Sequence, residues 1–443
     1  MNATKCFMPL LLGLLLYPAS LLMAQTNAAL PNDSLTLDQC VAYALKNRAA
    51  VEQALIDEAI GEREIKANLA GWLPQVSAKY GGTHLFKLQQ QPFAGEIRTL
   101  GQKYTSNVLL EATQTLYSSE LLLASKAARY TRQQLDLDIR QNKINTVVDV
   151  SKAFYDVLLT QEQLRILDEN LARQEKQYND ARSRFEVGLV DKTDYQRAAI
   201  TLANIRSDRN RAQASIKAKY ALLKQLMGYP IEADLEVAYN YNVMQQAVLV
   251  DTTEVVNFGN RIELQQLQTQ QQLQQLNTAY YKWNFLPTIS SYINYNWLFF
   301  SDTFAGLYSQ AYPTSGVGLQ ASIPIFQGTR RIQNLKIAQL QEKRLEVEAE
   351  NMRKAINTEY QAALANYKSN YYEWITLRDN AQLAQEVYDI IRLQYNEGIK
   401  AYVDLVVAET DLRTAQLNYY NALYDVLASK LDYQRALGTI NIQ

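Results

Sequence analysis

Apolar side chains recur every seven residues along two long stretches of the chain that contain no proline. The first stretch runs from about 119 to 185 and carries Val150, Val157, Leu164, Leu171, Tyr178 and Phe185. The second carries the same stripe 210 residues later, at Tyr360, Tyr367, Trp374, Ala381, Tyr388 and Tyr395. Because a strict seven-residue stripe keeps one face of a helix against a neighbour, the pattern predicts two uninterrupted helices packed as in a coiled coil. Each would contain about 67 residues and extend for about 100 Å.

The same offset of 210 residues relates most of the chain to itself, so one structural unit is present twice. The matched positions that mark the repeat most clearly are Phe185 with Tyr395, Gly188 with Gly398, and Asp194 with Asp404. The repeat predicts a first unit at 25–230, an irregular linking segment at 231–254 and a second unit at 255–443. Each unit also contains two shorter helices, and the first of these starts at a capping box formed by Thr36 and Gln39.

Alternation of apolar and polar residues predicts four strands, two in each unit. The apolar positions are Val76, Ala78 and Tyr80, then Val108, Leu110 and Ala112, then Ile289, Ile293 and Trp297, and finally Val317, Leu319 and Ile323. Strands of about ten residues with aromatic residues near their ends are typical of a lipid-facing barrel wall, although an amphipathic soluble hairpin gives the same pattern. Four strands cannot close a barrel, so the membrane interpretation implies oligomerisation, and a trimer would supply twelve strands.

Composition narrows the possible functions. The chain has 44 Lys and Arg against 45 Asp and Glu, and the basic residues are dispersed, which argues against a nucleic-acid partner. Residues 1–24 have the pattern of a removable secretory signal peptide, and no later segment is apolar enough for a membrane helix. With His84 as the one histidine, Cys40 as the one cysteine after the signal, and no phosphate-binding loop, we expect no catalytic site, no cofactor and no metal site.

Gly188 and Gly398 each lie where a long helix must reverse its direction, and glycine adopts the positive φ that such a turn requires. Asp194 and Asp404 then fall in the first turn of the returning helix, where a carboxylate is favoured by the helix dipole. A purely structural role therefore accounts for both aspartates as well as a functional one does.

The sequence resembles the TolC-like outer-membrane efflux proteins over essentially all of the mature chain. Residues 185–194 and 395–404 look like the family's two helix-turn-helix tips, Pro324 to Gly328 like its exit from a strand into a long helix, and the Leu-Pro pairs at 73–74 and 286–287 like its helix-to-strand junctions. The resemblance implies a mostly α protein with membrane β-strands, in which a trimeric 12-stranded outer-membrane β-barrel continues into a long periplasmic α-helical barrel. Residues 231–254 would form an element around its equator.

The resemblance also implies partners and a function. The homotrimer would sit in outer-membrane lipid and serve as a passive exit duct, opened by a periplasmic membrane-fusion adaptor and powered by an inner-membrane pump of the RND, ABC or MFS type. The adaptor would dock on the tip turns, which comprise Val187, Gly188, Leu189, Glu397, Gly398 and Ile399. The alternative is an exported structural coiled-coil protein that binds partners along its rods, and the exported substrate cannot be read from the sequence.

Transferred to this chain, the family's periplasmic gate would consist of five residues. Asp404 would ring the closed aperture, and Asp194 with Thr193 would accept hydrogen bonds from Tyr395 and Lys400 of a neighbouring copy. Lys400 stands where some members carry arginine, and Val407 stands where the best-known member has a second acidic residue, so the latch and the cation preference should both be weaker. The family's proline after Asn47 and Arg261 is also missing, which predicts that the short helices continue smoothly there.

Overall fold

The computed structural model describes residues 34–93, 95–188, 191–238 and 241–442. The predicted signal peptide and Leu189 lie outside these residues. The described chain consists mainly of helices with one four-stranded sheet, as the sequence predicts. The helices are α1 (Leu37–Asn47), α2 (Ala49–Leu69), α3 (Ser119–Glu186), α4 (Lys192–Met227), α5 (Tyr241–Ala247), α6 (Ile262–Trp283), α7 (Arg330–Asn396) and α8 (Tyr402–Leu437). The strands are β1 (Gln75–His84), β2 (Gln89–Phe93), β3 (Glu96–Leu100), β4 (Tyr104–Tyr117), β5 (Thr288–Ser301) and β6 (Ala311–Ser322).

Two long helices dominate the fold. α3 has 68 residues and α7 has 67, which confirms the lengths predicted from the seven-residue stripe. Each returns through a short turn into a 36-residue helix, so that α3 with α4 and α7 with α8 form two helical hairpins. Within the chain α3 also packs against α8, and this contact joins the first hairpin to the second.

The central sheet has the antiparallel order β1-β4-β5-β6. Its register places the apolar positions of neighbouring strands opposite one another, so that Val76 faces Ala112, and Ile293 faces both Ala112 and Val317. The opposite face is polar and contains an ion pair of 2.9 Å between Lys79 and Glu111. The four predicted strands are therefore confirmed, and apolar residues predominate on one face of the sheet, while the other face mixes polar residues with a few apolar ones such as Leu109. The small hairpin of β2 and β3, inserted between β1 and β4, was not predicted.

The largest apolar core lies midway along the long helices, where α1, α3, α4, α7 and α8 meet the segment around α5. Irregular backbone here is held by side chains of α7 and α8. The Tyr360 hydroxyl donates to the Glu254 carbonyl at 2.8 Å, the Tyr367 hydroxyl donates to the Val248 carbonyl at 2.9 Å, and the Lys430 ammonium donates to the Ala247 carbonyl at 2.5 Å. These donors satisfy carbonyls that no regular element pairs, which is why a segment without regular structure can be buried at this level.

The expectation that the short helices continue smoothly is wrong. Arg48 has an extended conformation (φ −66°, ψ 127°) and separates α1 from α2, and Arg261 is likewise extended before α6. The bend needs no proline because the neighbouring helix end occupies the space. Gly228, in a left-handed conformation at the end of α4, lies so close to the chain at Asn47 that a Cβ on it would be 2.1 Å from the Asn47 oxygen.

The predicted heptad stripe of α3 is only partly buried. Val150 and Val157 are fully buried, but Leu164 and Leu171 lie at the edge of the packing. Closer to the tip, the buried line of α3 passes through Asn170 and Gln174 instead. In the second unit Tyr367, Trp374 and Tyr388 remain buried as predicted. The buried residues of α3 differ from the predicted heptad positions near the tip because α3 packs against α8 as well as against α4.

Candidate functional site

Both hairpins reverse at the predicted glycines. Gly188 and Gly398 each have φ 74°, and each donates its N–H to the carbonyl three residues earlier at 3.0 Å. A Cβ on either would meet no atom within 4 Å, so the requirement for glycine comes from the backbone conformation and not from crowding. The second turn is closed further by Ile399, whose N–H donates to the Gln394 carbonyl at 2.8 Å.

The tip turns present apolar side chains to solvent. Val187 is 70% exposed in the first turn and Ile399 is 71% exposed in the second, and Glu397 is exposed beside it. Leu189, which the sequence places in the same set, lies outside the described residues. Exposed apolar residues at the end of a protein are a recurring mark of a surface that another molecule covers.

The two aspartates both lie in the first turn of a returning helix, half-buried. The Asp404 carboxylate accepts a hydrogen bond from the Ala401 N–H at 3.3 Å, so it caps α8 in the way that the structural interpretation predicts. The Asp194 N–H donates to the Asp191 carbonyl at 3.1 Å, and within the described ranges no hydrogen bond to the Asp194 carboxylate is present. A structural role at the helix start is therefore observed for Asp404 alone of the two.

The predicted latch residues are not joined within one chain. Thr193 and Lys400 are exposed, and among the described residues no hydrogen bond or ion pair connects Lys400 or Tyr395 to Thr193 or Asp194. Tyr395 is half-buried between the hairpins, where the Arg184 guanidinium lies 5.8 Å from its ring centroid. The latch was predicted between copies, so its pairing stays a prediction.

Tyr402 is the residue through which α8 first contacts the other hairpin. Its ring is buried against Ala181 of α3 and Ala198 of α4. Burial is the main cause that raises the pKa of Tyr402, and the negative charge of Asp194 adds to it. The Gln174 amide donates to the Tyr402 hydroxyl at 3.3 Å. The start of α8, which carries Asp404, is thus fixed on the first hairpin.

Above Tyr402 the contact between α3 and α8 contains a group of polar side chains that sequence reasoning missed. We call it the seam cluster, and it consists of Asn170, Arg173, Gln174 and Gln177 of α3 with Tyr402 and Glu409 of α8. Its centre is the Glu409 carboxylate, which is 5% exposed and accepts from Gln177 at 3.0 Å and from Arg173 Nε at 3.4 Å. The α3 residues lie three and four positions apart on one helix face, but a solvated helix face has the same spacing, so the sequence alone does not reveal the cluster.

Burial is the leading cause of the pKa shifts in and around this cluster. It raises the pKa of Glu409, and the hydrogen bond from Gln177 and the charges of Arg173 and Arg413 oppose the rise without cancelling it. The pKa of Tyr388 on α7 is raised for the same reason, with the charge of Glu409 contributing. Ionisable groups with shifted pKa values are often found at functional sites. The raised pKa of Glu409, close to the predicted aperture, therefore makes the cluster a functional candidate.

Two further observations limit what this site can be. Within the described ranges, no group of three or more His, Cys, Asp or Glu side chains is arranged to hold a metal ion. No helix in the part of the chain that the structure describes combines the length and the apolar character needed to cross a membrane.

Comparison with known proteins places the chain among bacterial outer-membrane proteins. The family model described as outer membrane efflux protein matches residues 41–229 and 258–439. The chain is 23% identical to the outer membrane efflux protein BepC of Brucella suis, over 91% of this chain and 85% of that protein. It is 21% identical to the outer membrane protein TolC of Vibrio cholerae, over 86% of this chain and 85% of that protein.

Solved structures support the same fold. The Campylobacter jejuni CmeC outer membrane channel superimposes with a TM-score of 0.74 at 17% identity, covering 91% of this chain and 85% of that one. The open state of the Neisseria gonorrhoeae MtrE outer membrane channel gives a TM-score of 0.71 at 18% identity, covering 91% of this chain and 88% of that one. At these identities the likeness establishes the arrangement of helices and strands.

Proposed function

The chain belongs to the outer membrane efflux protein family, and from this premise we propose that three copies of it assemble into one closed exit duct. The protein is an outer-membrane efflux channel, and its long helices lie in the periplasm. The assembly, the partners and the gate residues described below are our proposals.

The sheet supports assembly because it is incomplete. β1 and β6 are the two ends of the four-stranded order, and each has one edge that pairs with no strand of the described residues. Unpaired backbone groups cannot be left in lipid, so β1 of one copy is expected to pair with β6 of the next. Three copies would pool twelve strands, with the apolar face containing Val76, Ile293 and Val317 towards lipid and the polar face of Lys79 and Glu111 towards the interior.

The repeat supports assembly at the helical end as well. Among the described residues the first unit's α3 packs extensively on the second unit's α8, whereas the equivalent pair, α7 and α4, forms no comparable interface. Three apolar side chains on α7, Leu383, Val387 and Ile390, are each more than half exposed. Near the same level of the first hairpin, an open groove of about 330 Å³ includes Ala199 and Ala203 of α4. We propose that the α7 stripe of one copy covers α4 of the next, which repeats the α3–α8 arrangement between copies.

We propose a periplasmic adaptor and an inner-membrane pump as further partners. Two similar proteins carry names that point to both kinds of transport, an antibiotic efflux pump outer membrane protein of Pseudomonas putida and a proteases secretion protein of Dickeya chrysanthemi. The exposed Val187 and Ile399 give an adaptor an apolar contact at each tip. The chain would itself be a passive conduit without catalytic residues, and pump type and cargo stay open. Residues 25–230 and 255–443 would act as its two equivalent units, joined by 231–254.

At the periplasmic end we propose that Asp404 lines the aperture and that Asp194 and Thr193 of one copy accept hydrogen bonds from Tyr395 and Lys400 of the next. The exposure of Lys400 and Thr193, and the available Asp194 carboxylate, leave all three groups free to meet a neighbour. A partly exposed charged contact contributes only about 1 kcal/mol, so an adaptor could release it.

The experiment for the duct is a mass measurement in native lipid combined with conductance in planar bilayers. We expect a detergent-extracted complex with three times the mass of the mature chain, and steps of conductance when it is inserted into the bilayer. A soluble, elongated monomer, or a trimer that never conducts, would refute the proposal and favour the structural coiled-coil alternative.

A further inference from the structure

The seam cluster contains a carboxylate that is poorly compensated. The side chain of Glu409 is almost fully buried, yet its contact with Arg173 is 3.4 Å long, whereas a strong charge-assisted hydrogen bond measures about 2.7–2.9 Å. The Gln177 amide supplies the one shorter bond, at 3.0 Å. Removing a carboxylate from water is costly unless it is both paired and hydrogen-bonded, so the ionised form is held here at an energetic disadvantage.

The cluster also has acceptors that lack donors. The side-chain oxygens of Gln174 and Gln177 are buried and have no hydrogen-bond partner in the part of the chain that the structure describes. Gln174 itself is fully buried. An ionised carboxylate is an acceptor only, whereas a protonated one also donates. A proton on Glu409 therefore removes a buried charge and adds a donor to a cluster that has too few.

Arg173 does not need the Glu409 charge to stay in place. Its guanidinium also donates to the Asn170 side-chain oxygen at 2.5 Å, and its side chain is 30% exposed, so water shares in solvating it. The other ionisable groups facing Glu409 are Arg413 and Tyr402 on its own helix, and Tyr388 on α7, whose ring is also approached by Arg392. No second carboxylate is among these groups, so Glu409 is the group that titrates.

We propose that Glu409 is a positioning residue of the aperture, and that uptake of a proton by its carboxyl group tightens the contact between α3 and α8 while loss of the proton loosens it. Asp404 lies five residues earlier on α8, so a change in how α8 packs on α3 moves the predicted aperture. The tightening of the contact stands on the geometry of one chain, and its effect on the aperture rests on the proposed function.

The direction of the pH dependence follows from the raised pKa. Because the pKa of Glu409 is raised above its ordinary value of 4.5, the packed contact retains a proton that the separated helices would release. The stabilisation is complete below that ordinary value and is lost as the pH rises through the raised pKa. One proton changes the ratio of packed to loosened states by at most about tenfold for each pH unit.

The test measures the distance between the hairpins in the whole protein. Spin labels on the exposed positions Lys176 of α3 and Thr414 of α8 report it, in assemblies diluted with unlabelled copies. The native Cys40 is buried and its pKa is raised to about 12, so it will not compete for the label. We expect a narrow, short distance at pH 4, below the ordinary pKa of 4.5, and a second, longer population that grows as the pH is raised to 8.

Glu409→Gln, which resembles the protonated carboxyl group, should keep the short distance at both pH values. The exposed Glu386→Gln on α7 is the matched control and should behave as the unsubstituted protein. A distance that does not change with pH, or an equal response in Glu409→Gln, would overturn the proposal. If Glu409→Gln fails to fold, infrared detection of the protonated carboxyl group in the unsubstituted protein decides, since a Glu409 band that is already lost at the ordinary pKa of 4.5 would also overturn the proposal.

Conductance recorded on the same samples separates the two proposals. A distance that responds to pH without any conductance would leave the Glu409 contact intact and refute the duct. Conductance in the unsubstituted protein together with a distance that does not change with pH would refute the Glu409 proposal and leave the duct intact.

Discussion

The two units share a backbone but bury different chemistry at the same level. In the first unit Asn170 and Gln174 of α3 are fully buried against α8. Of the equivalent residues 210 positions later on α7, Asn380 is exposed and Ala384 packs half-buried on an apolar cluster with Leu405 and Ala408 of α8. The neighbouring Val387 is 52% exposed. The contact inside the chain is therefore polar, and the face left for another copy is apolar.

The apolar face and the polar contact suit two different tasks. An apolar interface is insensitive to pH and is suited to holding copies together permanently. A polar interface with an ionisable group can be weakened by a proton or by a competing partner at little cost in fold. In the proposed assembly the repeat would therefore provide two equivalent contacts, an apolar one between copies and a polar one with an ionisable group inside each copy.

The largest effect is expected from a charge placed on the apolar face of α7. Val387→Asp should abolish trimers, because each of three interfaces would bury an unpaired carboxylate at a cost of several kcal/mol. Native mass measurement should then show monomers. Val387→Thr, which keeps the shape of the side chain, should remain mainly trimeric. Trimers in Val387→Asp would show that this face is not an interface.

A second comparison concerns the glycines that end α4 and α8. A Cβ on Gly228 would lie 2.1 Å from the Asn47 oxygen, whereas a Cβ on Gly438 would lie 3.0 Å from the Asn260 oxygen. Both residues have positive φ, so alanine costs about 1–2 kcal/mol in conformation at either position. Gly228→Ala should lose more, about 3 kcal/mol in total, because backbone must move. The midpoint of guanidinium unfolding in detergent measures both, and equal losses would contradict the crowding.

The smallest effects are expected at the tips. Lys400→Ala should raise the resting conductance in planar bilayers, since it removes a contact of about 1 kcal/mol.

Asp404→Ala should lower the preference for cations, and Asp194→Ala should raise conductance without changing that preference. The exposed Lys354→Ala, far from the tip on α7, serves as the control. An unchanged conductance and selectivity in all three would place the aperture elsewhere.

Much of the fold could be predicted because its signals are local. A seven-residue stripe free of proline specifies a long helix, and strict alternation at positions such as Ile293 and Val317 specifies a strand with two faces. The tip glycines could be predicted equally well, because a helix that reverses within a few residues needs a positive φ at one of them.

What could not be predicted depends on contacts between distant residues. The bend at Arg48 lies against Gly228 at the end of another helix, a contact that a rule about proline does not consider. The seam cluster arises because α3 serves two partners at once, and periodicity along α3 alone follows only one of them. Glu409 reads as a surface residue until the chain that covers it is known.

One consequence of the fold is mechanical. α3 continues without a break from Ser119, two residues after the end of β4, to Glu186 at the tip, whereas the parallel path through α1 and α2 is jointed at Arg48. In the first unit α3 is thus the one path among the described helices that runs from the sheet to the tip with an unbroken ladder of backbone hydrogen bonds. The path through α1 and α2 has its hinge at Arg48, where the backbone leaves the helical conformation.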